Sequence, residues 1–344
     1  MIDLLVAGGG PAGLATAIHG ALAGLEVVVL EPRPTPIDKA CGEGLMPGAV
    51  RRFEELGVPV PGSAFRGIRY VDGATGLRAE GLFRAGPGRG VRRTELQAAL
   101  AGRAEALGVR VLARRAGEVR QDADRVGAAG LTARYLVAAD GLHSPVRRAL
   151  GLAVPAAPGR PARYGLRRHY AVAPWSDLVE VHWAPDCEAY VTPLGPDRIG
   201  VAVLTSRQAP FDVQLADRFP GLAARLPPPG PGAPVRGAGP LRQRARTRVA
   251  GRVLFVGDAA GYVDALTGEG LTLAVSAAGE LVRCVRAGRP QEYERAWRAL
   301  SRDYRFLTSA LLWARGRPPL AGRVVPLAAR LPRVFTGAVN LLAR

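Results

Sequence analysis

Two glycine-rich segments at opposite ends of the chain hold residue types that bind and position a nucleotide cofactor. The first runs from Val6 to Gly13 and contains Gly8, Gly10 and Gly13 in the spacing G-x-G-x-x-G. These glycines permit a tight turn and a close approach of backbone amides to a pyrophosphate at a helix N-terminus. Glu31 follows 23 positions after Gly8, where a carboxylate can accept hydrogen bonds from ribose hydroxyls. This segment therefore predicts a dinucleotide site.

The second segment, residues 256–271, indicates a ligand longer than a nicotinamide dinucleotide. Asp258 follows a predicted buried strand, and the run from Thr267 to Gly270 opens a predicted helix. We expect Asp258 to accept a hydrogen bond from a ribityl hydroxyl. The amides from Gly268 to Leu271 would point at the pyrimidine edge of an isoalloxazine, where negative charge accumulates on reduction. Together the two segments predict FAD rather than NAD as the bound cofactor.

Apolar runs and helical spacing place both segments in a βαβ framework with a parallel sheet. The predicted strands of this framework are residues 2–7, 25–30, 135–139 and 252–256, and its predicted helices are residues 11–24 and 270–286. A second, β-rich region lies between them. It comprises an alternating stretch at 65–83 and predicted strands at 164–172, 179–183, 189–193 and 199–204.

The order of these elements predicts an interrupted α/β architecture: a Rossmann-type FAD-binding domain, an inserted antiparallel β-sheet substrate domain, and a helical C-terminal tail. Pro- and Gly-rich stretches at 153–162 and 227–240 mark the crossings between domains. The predicted FAD-binding parts are 1–62, 86–157 and 241–290, the predicted substrate-domain parts are 63–85 and 158–240, and the predicted helical tail is 291–344.

Composition excludes several other classes of protein. Cys41, Cys187 and Cys284 lack C-x-x-C spacing, and the four histidines form no ligand pattern, so we expect neither a disulfide framework nor a metal. The net charge of +18 is almost all arginine without an aromatic and basic platform, so we expect no nucleic-acid partner. No apolar run reaches the roughly 20 residues of a membrane span. With no basic leader before the first strand, we expect a cytoplasmic protein.

Four motifs carry a resemblance to a known family. They are the Rossmann fingerprint with Glu31, the loop Lys39–Leu45 (KACGEGL), Arg93 with Leu96 in an R-x-x-L helix, and the D-G-x-x-S-x-x-R run from Asp140 to Arg147. On these residues the chain resembles flavoprotein monooxygenases of the para-hydroxybenzoate hydroxylase type, and more closely their geranylgeranyl-reductase-like branch, with its GR2-like FAD domain. The resemblance extends over nearly the whole chain.

The residue pattern and the resemblance together give one set of candidate cofactor-binding residues. These are Gly8, Gly10, Pro11, Ala12, Gly13, Glu31, Pro32, Arg33, Lys39, Cys41, Gly42, Glu43, Gly44, Arg93, Asp140, Gly141, Gly257, Asp258, Gly268, Glu269, Gly270 and Leu271. No second G-x-G-x-x-G is present. The resemblance therefore implies that NAD(P)H docks transiently, reduces FAD and leaves, with Arg33 and Arg147 as candidates to bind its phosphates.

The candidate catalytic residues are Asp264, Cys41, Tyr190 and His169. Asp264 stands where the family usually has proline on the flavin face, so its carboxylate could steer a substrate hydroxyl or a proton. Cys41 is either a reactive thiol or a small packing residue in its glycine loop. Tyr190 and His169 lie on predicted strands of the inserted sheet, where each has either a catalytic or a structural role.

The resemblance implies an FAD-dependent, NAD(P)H-driven monooxygenase. It would hydroxylate a hydrophobic aromatic or polyketide-type molecule with molecular oxygen through a flavin C4a-hydroperoxide. The alternative is reduction of carbon–carbon double bonds in an isoprenoid. A third possibility is a flavin-binding protein without turnover, whose tail from Phe306 to Arg344 makes weak contact with a membrane surface or a partner enzyme. The W-x-W-x-I-P signature of flavin halogenases is absent.

Overall fold

A computed structural model describes residues 1–157, 159, 161–230 and 233–344. Its strands, in chain order, are β1 (Ile2–Ala7), β2 (Val27–Leu30), β3 (Gly44–Leu45), β4 (Ser63–Phe65), β5 (Gly67–Asp72), β6 (Arg78–Leu82), β7 (Gly88–Gly90), β8 (Arg110–Leu112), β9 (Arg120–Gln121), β10 (Val126–Ala128), β11 (Leu131–Ala138), β12 (Tyr164–Tyr170), β13 (Val179–Trp183), β14 (Cys187–Gly195), β15 (Arg198–Thr205), β16 (Arg236–Ala238), β17 (Val249–Ala250) and β18 (Val253–Phe255).

The helices frame these strands on both sides. In chain order they are α1 (Pro11–Leu22), α2 (Pro47–Glu55), α3 (Arg93–Ala106), α4 (Pro145–Ala149), α5 (Phe211–Arg218), α6 (Pro220–Ala223), α7 (Gly270–Arg286), α8 (Glu292–Arg315), α9 (Pro318–Ala321), α10 (Val324–Arg330) and α11 (Pro332–Leu342). A short 3-10 turn lies at Gly257–Ala260.

The apolar runs of the framework form the centre of an eight-stranded sheet. Its main order is β17-β18-β11-β1-β2-β8, and β18, β11, β1, β2 and β8 run parallel. Leu4, Leu5 and Val6 of β1 are fully buried, as expected for a parallel strand covered on both faces. The carboxyl ends of β1, β11 and β18 meet at one edge, and the two glycine-rich segments follow two of these ends.

Sterics explain the glycine spacing after β1. A Cβ added to Gly13 would lie 1.9 Å from the carbonyl oxygen of Gly8, so α1 can begin against the strand end only with glycine there. Gly8 itself has a φ of +115°, and a Cβ on it would lie 2.4 Å from the carbonyl oxygen of Ala139. The loop therefore packs tightly against both β1 and the end of β11.

The inserted strands form a seven-stranded sheet in the order β16-β12-β15-β14-β13-β5-β6. All neighbouring pairs are antiparallel except β13 and β5, which run parallel, so the predicted antiparallel sheet is in fact mixed. The reason is that the chain passes through the FAD-binding framework between β5 and β13. Parallel neighbours need such a crossover connection, whereas antiparallel neighbours can be joined by hairpins.

Alternation along β14 gives the sheet two different faces. Cys187, Ala189 and Val191 point to one side and pack with α5 and α6, two helices that the sequence pattern did not indicate. Tyr190 and Thr192 point to the other side, towards the parallel sheet. The inserted sheet therefore forms one wall of the space above the strand ends.

The tail covers one edge of this space. Helix α8 packs against α7, while α10 and α11 pack on β5 and β6. The Phe335 ring lies 4.7 Å from that of Tyr70, and Asn340 joins α11 to β6 by donating a hydrogen bond to the carbonyl of Leu82. No helix in the described part of the chain is both long and apolar enough to cross a membrane.

The α/β class with an inserted sheet and a helical tail is confirmed, and the predicted bounds of α7 and β13 match the structure. The domain boundaries remain predictions. The predicted crossings at 153–162 and 227–240 include residues 158, 160, 231 and 232, which lie outside the described residues.

Two glycine-to-alanine variants test the steric argument. Gly13→Ala should lower the free energy of unfolding by about 2 kcal/mol or more, because the added methyl overlaps the Gly8 carbonyl. Gly102→Ala, in the exposed interior of α3 with open space around it, should raise that free energy by about 0.5–1 kcal/mol. Urea unfolding of both variants measures the difference, and a Gly13→Ala protein as stable as the parent would contradict the packing described here.

Candidate flavin site and substrate cavity

One elongated cavity lies between the ends of the parallel strands and the inserted sheet, with about 2010 Å³ of empty space, part of it open to solvent. Most of the predicted cofactor residues line it: Gly10, Pro11, Ala12, Arg33, Lys39, Cys41, Gly42, Glu43, Gly44, Arg93, Asp140, Gly141, Gly257, Asp258, Gly268, Gly270 and Leu271. The other predicted residues, Gly8, Gly13, Glu31, Pro32 and Glu269, lie outside the lining. The structure thus brings the two distant segments to one site.

Two helix N-termini open onto this cavity. Helix α1 begins at Pro11 and α7 at Gly270, and neither has a side chain that caps its first amides. Free amides and the helix dipole give each start a partial positive charge. Gly257 brings the two segments into contact, because a Cβ at this position would lie 2.6 Å from that of Ala12. The start of α1 suits a pyrophosphate, and the start of α7 suits the electron-rich edge of a flavin ring.

Unpartnered polar atoms at the same end also suit a polar ligand. Arg93 Nε and Asp140 Oδ1 are buried and have no hydrogen-bond partner within the described residues, and both residues line the cavity. Buried polar groups normally find partners, and because both residues line the cavity, a polar ligand bound there is placed to supply them. Together with the glycine-lined approach and the helix starts, they fit FAD.

Glu31 lies beside the glycine loop and does not line the cavity, whereas its motif predicts direct contact with ribose hydroxyls. One carboxylate oxygen accepts hydrogen bonds from the Gly9 amide at 2.9 Å and from Arg33, and the other accepts two more from Arg33. Burial raises the pKa of Glu31, but the bonds from Arg33 and Gly9 outweigh it and hold this pKa below its ordinary value. Glu31 therefore fixes the glycine loop and orients Arg33, whose guanidinium lines the cavity.

The Lys39–Leu45 loop is held by a hydrogen-bonded network behind the cavity. Glu43 has a φ of 61° and accepts a hydrogen bond from the Arg93 amide at 2.8 Å, while its second oxygen lies 2.6 Å from His169 Nε2. Thr192 donates a hydrogen bond to the Gly42 carbonyl at 2.9 Å. His169, a predicted catalytic residue, does not line the cavity and instead contacts Glu43, so its position is that of a loop support.

Cys41 is the predicted catalytic residue that the structure leaves most accessible to a ligand. Its side chain lines the cavity, and its sulfur accepts a hydrogen bond from the Glu43 amide at 3.4 Å. Burial raises the pKa of the Cys41 thiol above its ordinary value of 9.0, although Arg93 opposes the shift. The group presented to the cavity at neutral pH is therefore a protonated thiol.

The D-G-x-x-S-x-x-R run, residues 140–147, is joined by hydrogen bonds to the start of α4 and to the loop after β18. Ser144 caps α4 by accepting a hydrogen bond from the Arg147 amide, and Asp140 accepts one from the Val146 amide. The Arg147 side chain is 1% exposed and donates to the carbonyls of Leu142, Asp258 and Ala259 and to the side chain of Gln243. The suggestion that Arg147 binds an NAD(P)H phosphate is therefore wrong, because its guanidinium is buried and already engaged.

Asp264 is part of a buried ionic cluster that no sequence motif predicted. Its carboxylate accepts a hydrogen bond from Arg163 Nε at 2.9 Å, and Arg163 also donates to Glu188 at 2.8 Å. Arg315 of α8 pairs with the other oxygen of Glu188. Burial raises the pKa of Glu188 to about 7, although Arg163 lowers it. Asp264 does not line the cavity. Its position is that of a support for the loop from Asp264 to Gly268, called here the flavin-facing loop.

Further bonds fix the same loop from two sides. Tyr190 of β14 lines the cavity but donates its hydroxyl hydrogen to the Leu266 carbonyl at 3.0 Å. Tyr304 of α8 donates to the Asp264 carbonyl at 2.8 Å. Burial raises the pKa of Tyr190 well above its ordinary value. Its neutral phenol is therefore a structural donor and is not free to act as an acid.

Beyond the flavin end, the cavity continues into an apolar arm. The arm is bounded by β5, β13, α11 and the flavin-facing loop, and its lining is Met46, Phe65, Ile68, Tyr70, Val179, Val181, Leu266, Val339 and Leu342. Among these residues only Tyr70 can titrate, and burial raises its pKa. Such a lining suits a long hydrophobic ligand.

Glu269, just before α7, makes stability depend on pH. Burial raises the pKa of its carboxyl from 4.5 to about 8, and nearby Asp303 adds to the shift. The folded state therefore keeps a proton that the unfolded state loses, and the stability contributed by Glu269 falls as pH rises from about 4.5 to about 8. Glu269→Gln should melt like the parent near pH 5 and at a clearly higher temperature near pH 9.

The matched control is Glu280→Gln, within α7 and paired with Arg283 near the surface. Its melting temperature should follow that of the parent across the same pH range. Equal pH profiles for Glu269→Gln and the parent would show that Glu269 is ionised at neutral pH.

Comparison with known proteins identifies the family. Residues 1–180 match the FAD binding domain. Menaquinone reductase of Mycolicibacterium smegmatis is 29% identical over 88% of this chain and 80% of its own. That of Mycobacterium tuberculosis is 31% identical over 62% of this chain and 58% of its own. The structure of p-nitrophenol 4-monooxygenase from Pseudomonas putida superposes with a TM-score of 0.77 at 19% identity, covering 99% of this chain and 98% of that one.

The domain match explains why the two glycine-rich segments converge, and the long superposition extends the same fold through the inserted sheet and the tail. The resemblance inferred from the motifs is thereby confirmed. The chain belongs to the FAD binding domain family of flavoprotein oxidoreductases and monooxygenases, with FAD as its cofactor.

Proposed function

We propose that this protein is an FAD-dependent reductase that saturates a carbon–carbon double bond in a long hydrophobic molecule of the prenyl or prenyl-quinone class. The observation that carries the proposal is a protonated thiol, Cys41, at the flavin end of a cavity whose remaining length is apolar. The menaquinone reductases, similar over most of this chain, support the same substrate class. Hydroxylation, which the motifs alone favour, becomes the second candidate.

The reaction adds one hydride and one proton across a double bond. Reduced FAD, when bound, supplies the hydride. The starts of α1 and α7 hold the two ends of the cofactor site, and the loop fixed by Tyr190 and Tyr304 keeps α7 in place. The apolar arm binds the chain of the substrate and excludes water from the reacting carbons.

Cys41 provides the proton in this proposal. A hydride that adds to one alkene carbon leaves the neighbouring carbon in need of a proton, and a neutral thiol in the cavity wall can donate it. The thiolate that remains takes up a proton from water, so the residue is regenerated. Asp264, Tyr190 and His169 do not compete for this role, since each is bonded to protein groups.

The electron donor is proposed to be NAD(P)H, which approaches through a second opening beside the flavin end. This opening shares Lys39, Leu142 and Leu166 with the main cavity, and His143 and Arg207 line it further out. Its cationic side chains suit the phosphates of a transiently bound dinucleotide. They replace Arg147, whose guanidinium is buried.

Hydroxylation of an aromatic compound is the second candidate. Aromatic side chains line the cavity at Phe65, Tyr70, Tyr190 and Tyr262, and such rings can stack with an aromatic substrate. This reaction would consume molecular oxygen and would not need a proton donor at Cys41.

A single-turnover experiment separates the two candidates. The FAD-loaded protein is reduced in the absence of oxygen and mixed with a prenylated naphthoquinone. The mass of the product is then measured by mass spectrometry. Reduction of the chain predicts a product formed without oxygen that stays two hydrogens heavier after the quinone ring has been reoxidised, because hydride and proton come from the cofactor and the protein and have added to a carbon–carbon double bond. A product that gains one oxygen atom, and forms only after air is admitted, would establish hydroxylation instead.

Substitution of Cys41 tests the proton donor. Cys41→Ser and Cys41→Ala should slow double-bond reduction by about 10²-fold or more, the usual contribution of a positioned acid, while reduction of FAD by NAD(P)H continues. Cys284→Ala, at a buried cysteine in the last turn of α7 that does not line the cavity, is the control and should retain the parent rate. Cys41 variants that turn over as fast as the parent would assign the thiol to packing alone.

A further inference from the structure

We propose that α8, α10 and α11 form a docking surface for an anionic lipid bilayer, and that α11 is the wall between this bilayer and the apolar arm. The docking part stands on surface chemistry alone. The delivery of substrate from the bilayer to the arm rests on the proposed function.

Large apolar side chains are exposed on these helices. The exposed fractions are 71% for Phe306, 56% for Trp313, 50% for Leu327, 51% for Leu331 and 66% for Val334. Phe306 and Trp313 are the only aromatic residues among the exposed large hydrophobic residues of the described chain. A surface layer that exposes five large apolar side chains is a candidate interaction site for a protein or a membrane.

Helical geometry places these residues on the outside of one layer. Phe306 and Trp313 are seven positions apart, so they share a face of α8, while Leu311 and Leu312 of the same helix pack inward. Val325 of α10 and Phe335 of α11 are buried in that same inner cluster. Because the three helices cover one cluster, their outer faces together form the exterior of the layer.

The charge of this segment fits an anionic surface. Residues 304–344 contain seven arginines and no aspartate or glutamate. Arg315 forms a buried ion pair with Glu188. The other six are exposed: Arg305, Arg317, Arg323, Arg330, Arg333 and Arg344. Each basic residue near an anionic bilayer contributes attraction that falls off over a Debye length.

Arginine and aromatic groups occur together in this layer, which is the arrangement of an interfacial helix. The Arg317 guanidinium lies 3.7 Å from the centre of the Trp313 ring. An aromatic ring can insert at the headgroup level while the cation beside it meets a lipid phosphate. An acidic protein partner would use the charges but leave scattered exposed apolar side chains without a pocket, so a bilayer accounts for both features.

The position of α11 connects the surface with the cavity. Val339 and Leu342 of this helix line the apolar arm, while Val334 in its first turn is exposed. One helix therefore separates the outer layer from the substrate arm. In this proposal, a hydrophobic molecule dissolved in the bilayer has to pass only this helix to reach the apolar arm.

The test is co-sedimentation of the FAD-loaded protein with vesicles of phosphatidylcholine, with and without phosphatidylglycerol. We expect binding to the anionic vesicles that weakens as salt is added. The variant Phe306→Ser/Trp313→Ser/Leu331→Ser/Val334→Ser should bind them at least about tenfold more weakly, because it removes the inserting side chains. Replacing Arg305, Arg317, Arg330 and Arg333 by glutamine should abolish the preference for anionic lipid.

The matched control is Leu22→Ser/Leu77→Ser/Val111→Ser/Val213→Ser, which removes exposed apolar side chains from other parts of the surface and should bind like the parent. Flavin absorbance and melting temperature verify that each variant is folded. The proposal is overturned if the parent does not sediment with anionic vesicles, or if the tail and control variants bind equally. It is also overturned if gel filtration shows that the tail residues hold two copies of the chain together.

Vesicle binding needs no turnover, so it stands or falls separately from the reductase assignment. If the protein binds vesicles but does not reduce prenyl chains, docking is retained and the delivery of substrate is withdrawn.

Discussion

The cofactor site depends on one buried cation. Arg147 donates two hydrogen bonds to the carbonyls of Asp258 and Ala259, and two more to the Leu142 carbonyl and the Gln243 side chain. A buried charge is costly unless its hydrogen bonds are made, and burial lowers the pKa of this guanidinium. The carbonyls that accept hydrogen bonds from Arg147 belong to two loops that follow different strands, β11 and β18. The two terminal nitrogens of its guanidinium therefore reach these partners only when both loops are in place. The charge therefore couples the loop after β11, which carries the D-G-x-x-S-x-x-R run, to the second glycine-rich segment.

A similar constraint fixes the opposite side of the site. Arg163 joins Asp264, on the flavin-facing loop, to Glu188 of the inserted sheet, and Arg315 joins Glu188 to α8. Removal of one member of such a group leaves a buried charge unpaired, which is why these interactions define a single arrangement of their elements. The loop between Asp264 and Gly268 is thus held by the sheet and by the tail at once. The position of the α7 N-terminus follows from contacts that lie far away in sequence.

The parts of this structure that could be predicted from the sequence are those governed by local rules. The Rossmann glycines, the apolar strand β1 and the helix α7 each carry their pattern within a short window. The roles of Arg147 and Asp264 could not be predicted, because a motif shows which residue is present but not which way its side chain turns. The pairing of Arg163 with Glu188 was missed for the same reason, since the two residues meet only after the sheet has formed.

The arginines of this chain fall into two groups, those paired within the fold and those that leave the C-terminal segment with unbalanced positive charge. Within the folded body many arginines pair with acids or backbone carbonyls, as Arg33, Arg163 and Arg248 do. The even spread suggested by composition ends at Asp303, the last acidic residue, after which the chain carries only positive charge. Unbalanced charge is costly on a small surface unless an external anion compensates for it. Because this same stretch exposes Phe306 and Trp313, the partner that we propose for it accepts apolar side chains as well as cations. The headgroup region of an anionic bilayer meets both requirements.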